Sequence, residues 1–570
     1  MKKIILSLAM AISVSLFAQP TGFINPIIPG GHPDPSICRV GEDFYIVNST
    51  FEYFPALPIH HSKDLVNWEL IGYGIHRKEQ ATGAVNLVDV QQDGGIHAPT
   101  IRYHDGTFYV ITTNVYSPVD KNKPTEMVNF IITAEDPAGP WSEPHVIEGA
   151  PGIDPDLFFD DDGKVYFVGT HAVGQPNTDG IGEIWVQELD LENFELVGER
   201  HSVWRGACGG CCVEGPHIYK ENDTYYLLIA EGGTSYNHAV MIAASEKVSG
   251  PYDSNPRNPV LTSRHLSKRN WVHSTGHADI VELEDGRWYM VALGIRNHED
   301  GTTNMGRETH LIPVIWEPST VRWVEVEEGR WEPLEFLFPV AAPTTGKVER
   351  YNPLPFPEKP QYYNDAFTDD FNAQTLDLEW NFRRVPQEGT YSLSDNKGHL
   401  RLYLKPETFA LREQFSAIGF RQKESEFEYL AGMKFEPSKD QEEAGISIYQ
   451  KDDNYINFTI ERKNGEPTLK LLVDKREGEP KIQKQLSLPE YEGEIILKLV
   501  SKNNQYQYSY SLDGGESFDV FDTTANDIVL CKGYIGTNIG LYATSNGGKT
   551  REYADFDWIS YKGFPVLNFK

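Results

Sequence analysis

Five times along the first half of the chain, a turn dipeptide gives way to a run of aromatic and β-branched residues. The copies span 41–47, 105–111, 162–168, 222–228 and 285–291, as in Asp105-Gly106-Thr107-Phe108-Tyr109-Val110-Ile111. Each reads as a hairpin turn entering a strand. Their tyrosines, Tyr45, Tyr109, Tyr166, Tyr226 and Tyr289, stand 64, 57, 60 and 63 residues apart. A period of about sixty residues holds four short strands with their loops, so the repeat predicts an all-β ring, a five-bladed β-propeller. The pattern changes near residue 341. Pro353, Pro355, Pro357 and Pro360 mark 341–363 as a stiff linker. From 364 to 570, short alternating strands separated by Gly, Asn and Asp turns predict a β-sandwich. At the other end, a basic Met1-Lys2-Lys3, an apolar run to Phe17 and a small Ala18 read as a signal peptide over 1–18. The propeller then occupies 19–340, and the protein is expected to be exported, to a periplasm or beyond.

Residues that open the innermost strand of each blade converge at one mouth of a propeller. Counting back twelve positions from each repeat tyrosine, eleven in the first, gives Asp34, His97, Asp154, Glu214 and His277. Three acids and two histidines are therefore expected around one pocket. Buried carboxylates without partners are costly, so three converging ones point to chemistry. Glycoside hydrolysis needs two carboxyl groups about the scissile bond, one ionised and one protonated. A third carboxylate beside the acid raises its pKa by repulsion. A divalent cation site or solvated rim acids would also gather acids, although calcium prefers oxygens packed more closely than three blades supply.

Composition narrows the field. The 570 residues carry 51 Lys+Arg and 83 Asp+Glu, a net charge of −32. Nucleic acid and anionic membrane surfaces are disfavoured as partners. Past the leader, no stretch is long and apolar enough to span a membrane. Five cysteines cannot form a disulfide scaffold. Three of them fall in Cys208-Gly209-Gly210-Cys211-Cys212, just before Glu214, without the second ligand pair a zinc site would want. They read as buried thiols or as a local disulfide, Cys208–Cys211 or Cys211–Cys212.

At these residues the chain resembles glycoside hydrolase family 43, in the branch of β-xylosidases and α-L-arabinofuranosidases with a C-terminal β-sandwich. The stretches that carry the likeness include 25–36, Ser49-Thr50-Phe51-Glu52-Tyr53-Phe54-Pro55, Asp154-Pro155-Asp156-Leu157-Phe158, Glu214-Gly215-Pro216-His217, Gly276-His277-Ala278 and Gly306-Arg307-Glu308-Thr309. The resemblance implies that Asp34 is the general base, Glu214 the general acid and Asp154 the modulator and orienter of the acid. It implies inversion at the anomeric carbon, with acid and base roughly 6.5–9.5 Å apart. Arg307 and Phe51 match residues of the terminal sugar subsite. His277 matches a histidine near the axis that in some relatives helps hold a metal or water. His97 stands where the family usually has Trp.

Asp370-Phe371 and 554–558 resemble the first and last strands of a concanavalin-like sandwich. In relatives that domain can lend a loop to the active-site rim, here 536–540, where many relatives place an aromatic near Asn538. No cofactor is expected for catalysis. Asp370 and Asp557 are candidates for a structural calcium. The leading reading is an exo-acting hydrolase releasing α-L-arabinofuranosyl or β-D-xylosyl units from plant cell-wall glycans. An endo-arabinanase, which needs a cleft open at both ends, and a non-catalytic carbohydrate-binding propeller are the alternatives.

Overall fold

The computed structural model describes residues 22–172, 182–209, 211–298, 303–363, 365–409, 412–475, 479–526 and 534–565. The expected signal peptide lies outside them. Apart from a 3-10 turn at Lys78–Ala81, the named elements are strands. Among the described residues, no helix is long and apolar enough to cross a membrane.

Five antiparallel blades, four of them four-stranded and the fourth in order carrying an extra short strand, Leu261–Thr262, account for the period of sixty. Blade I comprises Ser36–Val40, Asp43–Val47, Ala56–Ser62 and Glu69–Ile75, and blade II comprises Gly95–His104, Thr107–Tyr116, Glu126–Ala134 and His145–Val146. Blade III comprises Ile153–Phe159, Val165–Ala172, Gly182–Asp190 and Glu195–Trp204. Blade IV is built on Glu214–Glu221, Thr224–Glu231, Ala239–Ser245 and Asp253–Ser254, and blade V on Val272–Glu282, Trp288–Arg296, Arg307–Glu327 and Arg330–Ala341. The repeated aromatic runs are the second strands. The first strands abut one another in a closed cycle, I–II–III–IV–V–I.

A polar layer locks these inner strands together. Arg102 of blade II donates to Asp279 at 2.9 Å, to Asp156 at 3.0 Å and to the His217 Nδ1 at 3.0 Å, which ties blades II, III, IV and V together. Ser36 brings in blade I, donating to Asp279 at 2.7 Å. The two buried carboxylates are thus offset by one shared guanidinium, and burial of Asp279 is outweighed by Arg102 so that it stays far below the usual range.

The C-terminal half packs two sheets face to face. One runs Tyr391–Ser392, Leu400–Tyr403, Tyr553–Phe564, Glu426–Lys434, Glu494–Lys502, Gln505–Ser511 and Asp519–Ala525, with Ala366–Asp369 also paired to Tyr553–Phe564. The other runs Ser416–Arg421, Asn538–Thr544, Glu443–Lys451, Asn454–Lys463, Glu466–Lys475 and Lys481–Ser487. Asp370 accepts the Asn372 backbone N–H at 3.2 Å, and Asp557 faces His399 at 3.7 Å. Among the described residues, no group of three or more His, Cys, Asp or Glu side chains is placed to hold a metal.

The two halves share one seam. Tyr53–Phe54 pairs with Phe382–Arg383, and one apolar cluster runs from Phe54, Leu57 and Ile96 of the propeller into Trp380, Ile418 and Phe420 of the sandwich. Glu52 and Arg383 form a fully buried ion pair at 3.1 Å. Arg383 also meets Asp452 at 3.2 Å, so loss of Glu52 leaves the guanidinium one carboxylate, at a cost below the about 3–5 kcal/mol of stranding a buried charge. Glu52→Ala is therefore expected to lower the thermal midpoint by several degrees in calorimetry. An unchanged midpoint would show that the seam does not limit stability.

Candidate active site

All five ring residues expected from the repeat, Asp34, His97, Asp154, Glu214 and His277, line one cavity of about 510 Å³, together with Phe51 and Arg307. The reason they converge is a backbone feature repeated at each blade entrance. Asp34, Ala98, Asp154, Gly215 and His277 all take left-handed φ, from 37° to 58°. In blades II to V this coincides with a break in the pairing register of the inner strand. A left-handed residue next to a bulge turns the side chain away from the sheet and aims it at the axis. Blades II and IV place this residue one position later than the count from the tyrosines, so His97 and Glu214 precede the kink while the other three occupy it. Gly215 has a further reason to be glycine, since a Cβ there would stand 2.8 Å from the His277 ring.

The three acids sit in different electrostatic surroundings. Burial works against ionised Asp34, but Arg307 at 2.8 Å, His277 and the Ser49 hydroxyl at 2.7 Å outweigh it and hold the group below the usual aspartate range. Burial first, and Asp34 second, push Glu214 up to about 7. Burial, then repulsion from Glu214 and Asp34, drives Asp154 well above its ordinary value, although its Oδ2 accepts the Gly215 N–H at 3.1 Å. The cavity therefore holds one carboxylate fixed as an anion and an Asp154/Glu214 pair that keeps a proton towards neutral pH. His277 is lowered to about 4 by burial and is a neutral imidazole at neutral pH.

Arg307 is the centre of the substrate end. Its Nε donates to the Tyr534 carbonyl at 3.0 Å and Nη1 to Asp34, while the buried Nη2 has no hydrogen-bond partner among the described residues. The guanidinium lies 5.1 Å from the Phe51 ring and 5.0 Å from the Tyr534 ring. His97 meets Phe51 edge-on at 4.8 Å and Tyr534 at 5.9 Å.

Tyr534 comes from the sandwich and supplies an aromatic that the candidate loop 536–540 itself lacks. The Asn538 side chain is buried in the strand that opens at that residue. The loop before it supplies Tyr534 instead, because Gly536 and Gly306 let the two backbone segments touch. A Cβ on Gly306 would lie 2.4 Å from the Gly536 nitrogen, and one on Gly536 would lie 2.2 Å from the Met305 oxygen. Thr537 then bonds to the Asn304 carbonyl through both its amide and its hydroxyl. Asp93 also lines the cavity and pairs with Lys451 of the sandwich. Tyr236 and His273, stacked at 4.5 Å, also line the cavity. Neither sequence repeat nor spacing marks these last residues.

Of the cysteines before Glu214, Cys212 lines the cavity. The three stand as thiols, with Cys211 and Cys212 sulfurs 3.2 Å apart and Cys208 turned to Arg264 at 3.7 Å. The local disulfide is not formed in this structure.

Comparison with known proteins fixes the family. Residues 23–321 match the family described as Glycosyl hydrolases family 43, and residues 368–562 match the domain described as Beta xylosidase C-terminal Concanavalin A-like domain. The chain belongs to glycoside hydrolase family 43. It is 39% identical over 559 residues to a xylosidase/arabinosidase of Butyrivibrio fibrisolvens, covering 94% of this chain and 98% of that one. It is 37% identical over 565 residues to a non-reducing end alpha-L-arabinofuranosidase of Bacteroides ovatus, covering 98% of each. A solved structure of xylan beta-1,4-xylosidase from Bacillus halodurans superposes with a TM-score of 0.83 at 30% identity, over 95% of this chain and all of that one. As in the family, the catalytic chemistry is hydrolysis of a glycosidic bond, by a propeller followed by a concanavalin-like domain.

Proposed function

We propose that the protein is an exo-acting, inverting hydrolase that removes terminal α-L-arabinofuranosyl units, and β-D-xylosyl units, from plant cell-wall glycans outside the cytoplasm. The observation that carries this reading is the convergence on one cavity of three carboxyls, buried Asp34 and Asp154 and half-buried Glu214, with Arg307 bonded to Asp34 at 2.8 Å.

In this reading Asp34 is the base. Its carboxylate, oriented by Arg307 and Ser49, takes a proton from a water as that water attacks the anomeric carbon. Glu214 is the acid and protonates the departing glycosidic oxygen. Asp154 is the positioning residue. It is tied to the Gly215 amide beneath Glu214, which fixes the backbone that carries the acid. The free Nη2 of Arg307 offers a donor to a sugar hydroxyl, and Phe51, His97 and Tyr534 give the ring an apolar wall. Tyr534 covers one side of the cavity, which favours a chain end over a chain interior. The names of the relatives, which include both sugars, support the pair of substrates.

Hydrolysis of 4-nitrophenyl α-L-arabinofuranoside and β-D-xyloside, followed by NMR of the first sugar released, tests this. Turnover of at least one with the inverted anomer appearing first is expected. No turnover of either, or the retained anomer first, would overturn the reading.

A further inference from the structure

Blade V departs from the other four. Its third strand, Arg307–Glu327, runs on well past the strand inside it, and its fourth, Arg330–Ala341, pairs only with that extension. The result is a long two-stranded hairpin beyond the body of the blade. One face is internal, with Phe336 and Phe338 buried in the cluster that contains Tyr226 and Met290. The other face is read from the register, because directly opposed residues share a side. The opposed pairs on it are Pro318 with Leu337, Thr320 with Glu335, Trp323 with Pro333, and Glu325 with Trp331. Trp323 is 61% exposed, Trp331 56% and Leu337 43%. Two indoles on diagonal positions of one face, with two prolines and a leucine farther along it, make an apolar strip in solvent. Such exposure is uncommon without a binding role.

The surroundings choose the partner. The segment 315–341 holds six glutamates against two arginines, on a chain of net charge −32. Glu325 and Glu335 lie within the strip itself. Nucleic acid, an anionic polymer or a second copy of this chain would all meet like charge there. A neutral, hydroxyl-rich chain would not. Its apolar ring faces would lie on the indoles, and its hydroxyls would donate to the carboxylates on the same face. We propose that the solvent face of the blade V hairpin binds a neutral polysaccharide, through Trp323 and Trp331, at a distance from the catalytic cavity. The proposal rests on the reading of the enzyme as one that trims polymeric glycans: the cavity takes a chain end, and the strip holds the same polymer elsewhere.

The test uses the full chain carrying Glu214→Gln to prevent hydrolysis, run in native gels containing soluble arabinoxylan, arabinan or xyloglucan. Retardation by at least one polymer is expected, and it should be lost with Trp323→Ala and Trp331→Ala together. In the otherwise unmodified enzyme the same double substitution should raise KM for that polymer roughly fivefold or more, the scale of lost aromatic contacts. KM and kcat for the aryl glycoside should stay unchanged, which also shows that the variant folds. Retardation by none of the three, or retardation that survives the double substitution, would overturn the proposal. So would a dimer in sedimentation that the substitution converts to monomer, since a second copy would then cover the strip. The gel requires no turnover, so failure of the catalytic reading would appear separately, as an unmodified enzyme inactive on both aryl glycosides.

Discussion

Glu214→Gln should lower kcat/KM by about 10²–10⁴-fold on an oligosaccharide, the range for removing a general acid. The substitution keeps the shape of the side chain but leaves no proton to give the departing oxygen. The loss should therefore shrink for a leaving group that needs none, such as 2,4-dinitrophenolate, and stay large for an alkyl or sugar alcohol. Comparing the two substrate types separates an acid from a residue that only shapes the cavity, which would depress both equally. The pH profile gives a second reading. Glu214 is pushed up to about 7 by burial and by Asp34. An acid works only while protonated, so kcat/KM of the unmodified enzyme should fall as pH rises through about 7, and that alkaline limb should vanish in Glu214→Gln. Undiminished turnover by the variant would remove Glu214 from the mechanism.

Arg307→Ala should act on the opposite limb. The guanidinium touches Asp34 at 2.8 Å, and both groups are buried. Without it, the burial that works against the ion is opposed chiefly by the Ser49 hydroxyl. The Asp34 pKa must then rise. A base works only while ionised, so the acid limb of kcat/KM should move to higher pH, and activity at the optimum should drop by about 10²-fold or more, on the scale of about 3–5 kcal/mol for breaking a buried charge pair. Arg307→Lys restores the charge without the planar fork that also holds the Tyr534 carbonyl. It should return the limb towards its original position while KM stays high. An acid limb that does not move in Arg307→Ala would show that Arg307 does not set the state of Asp34.

The shift at the blade entrances shows where reading the chain reached its limit. Spacing from the repeat tyrosines found all five ring residues, because each blade reuses one hairpin and strand length is fixed by the pleat. It could not tell that Ala98 and Gly215, rather than His97 and Glu214, take the left-handed turn. A bulge inserts its extra residue without changing the apolar pattern on either side. Tyr534 was beyond reach for a different reason. It stands 227 residues from Arg307, and only the mutual approach of Gly306 and Gly536 brings it over the cavity.

What the sequence by itself determined is the set of chemical groups and their repetition: five units, three acids, two histidines, and the likeness that assigned Arg307 and Phe51 to the same end. Local turn chemistry and strand period are enough for that. Only the tertiary structure decided which acid stays charged. Like carboxyls differ here because Arg307 reaches Asp34, while Glu214 repels Asp154 across the cavity, and a pKa is set by neighbours across the fold. It also decided that a domain outside the propeller completes the cavity wall, and that the hairpin of blade V leaves two tryptophans in solvent. Side-chain direction in a ladder depends on register, and register is fixed by what the opposite face must bury.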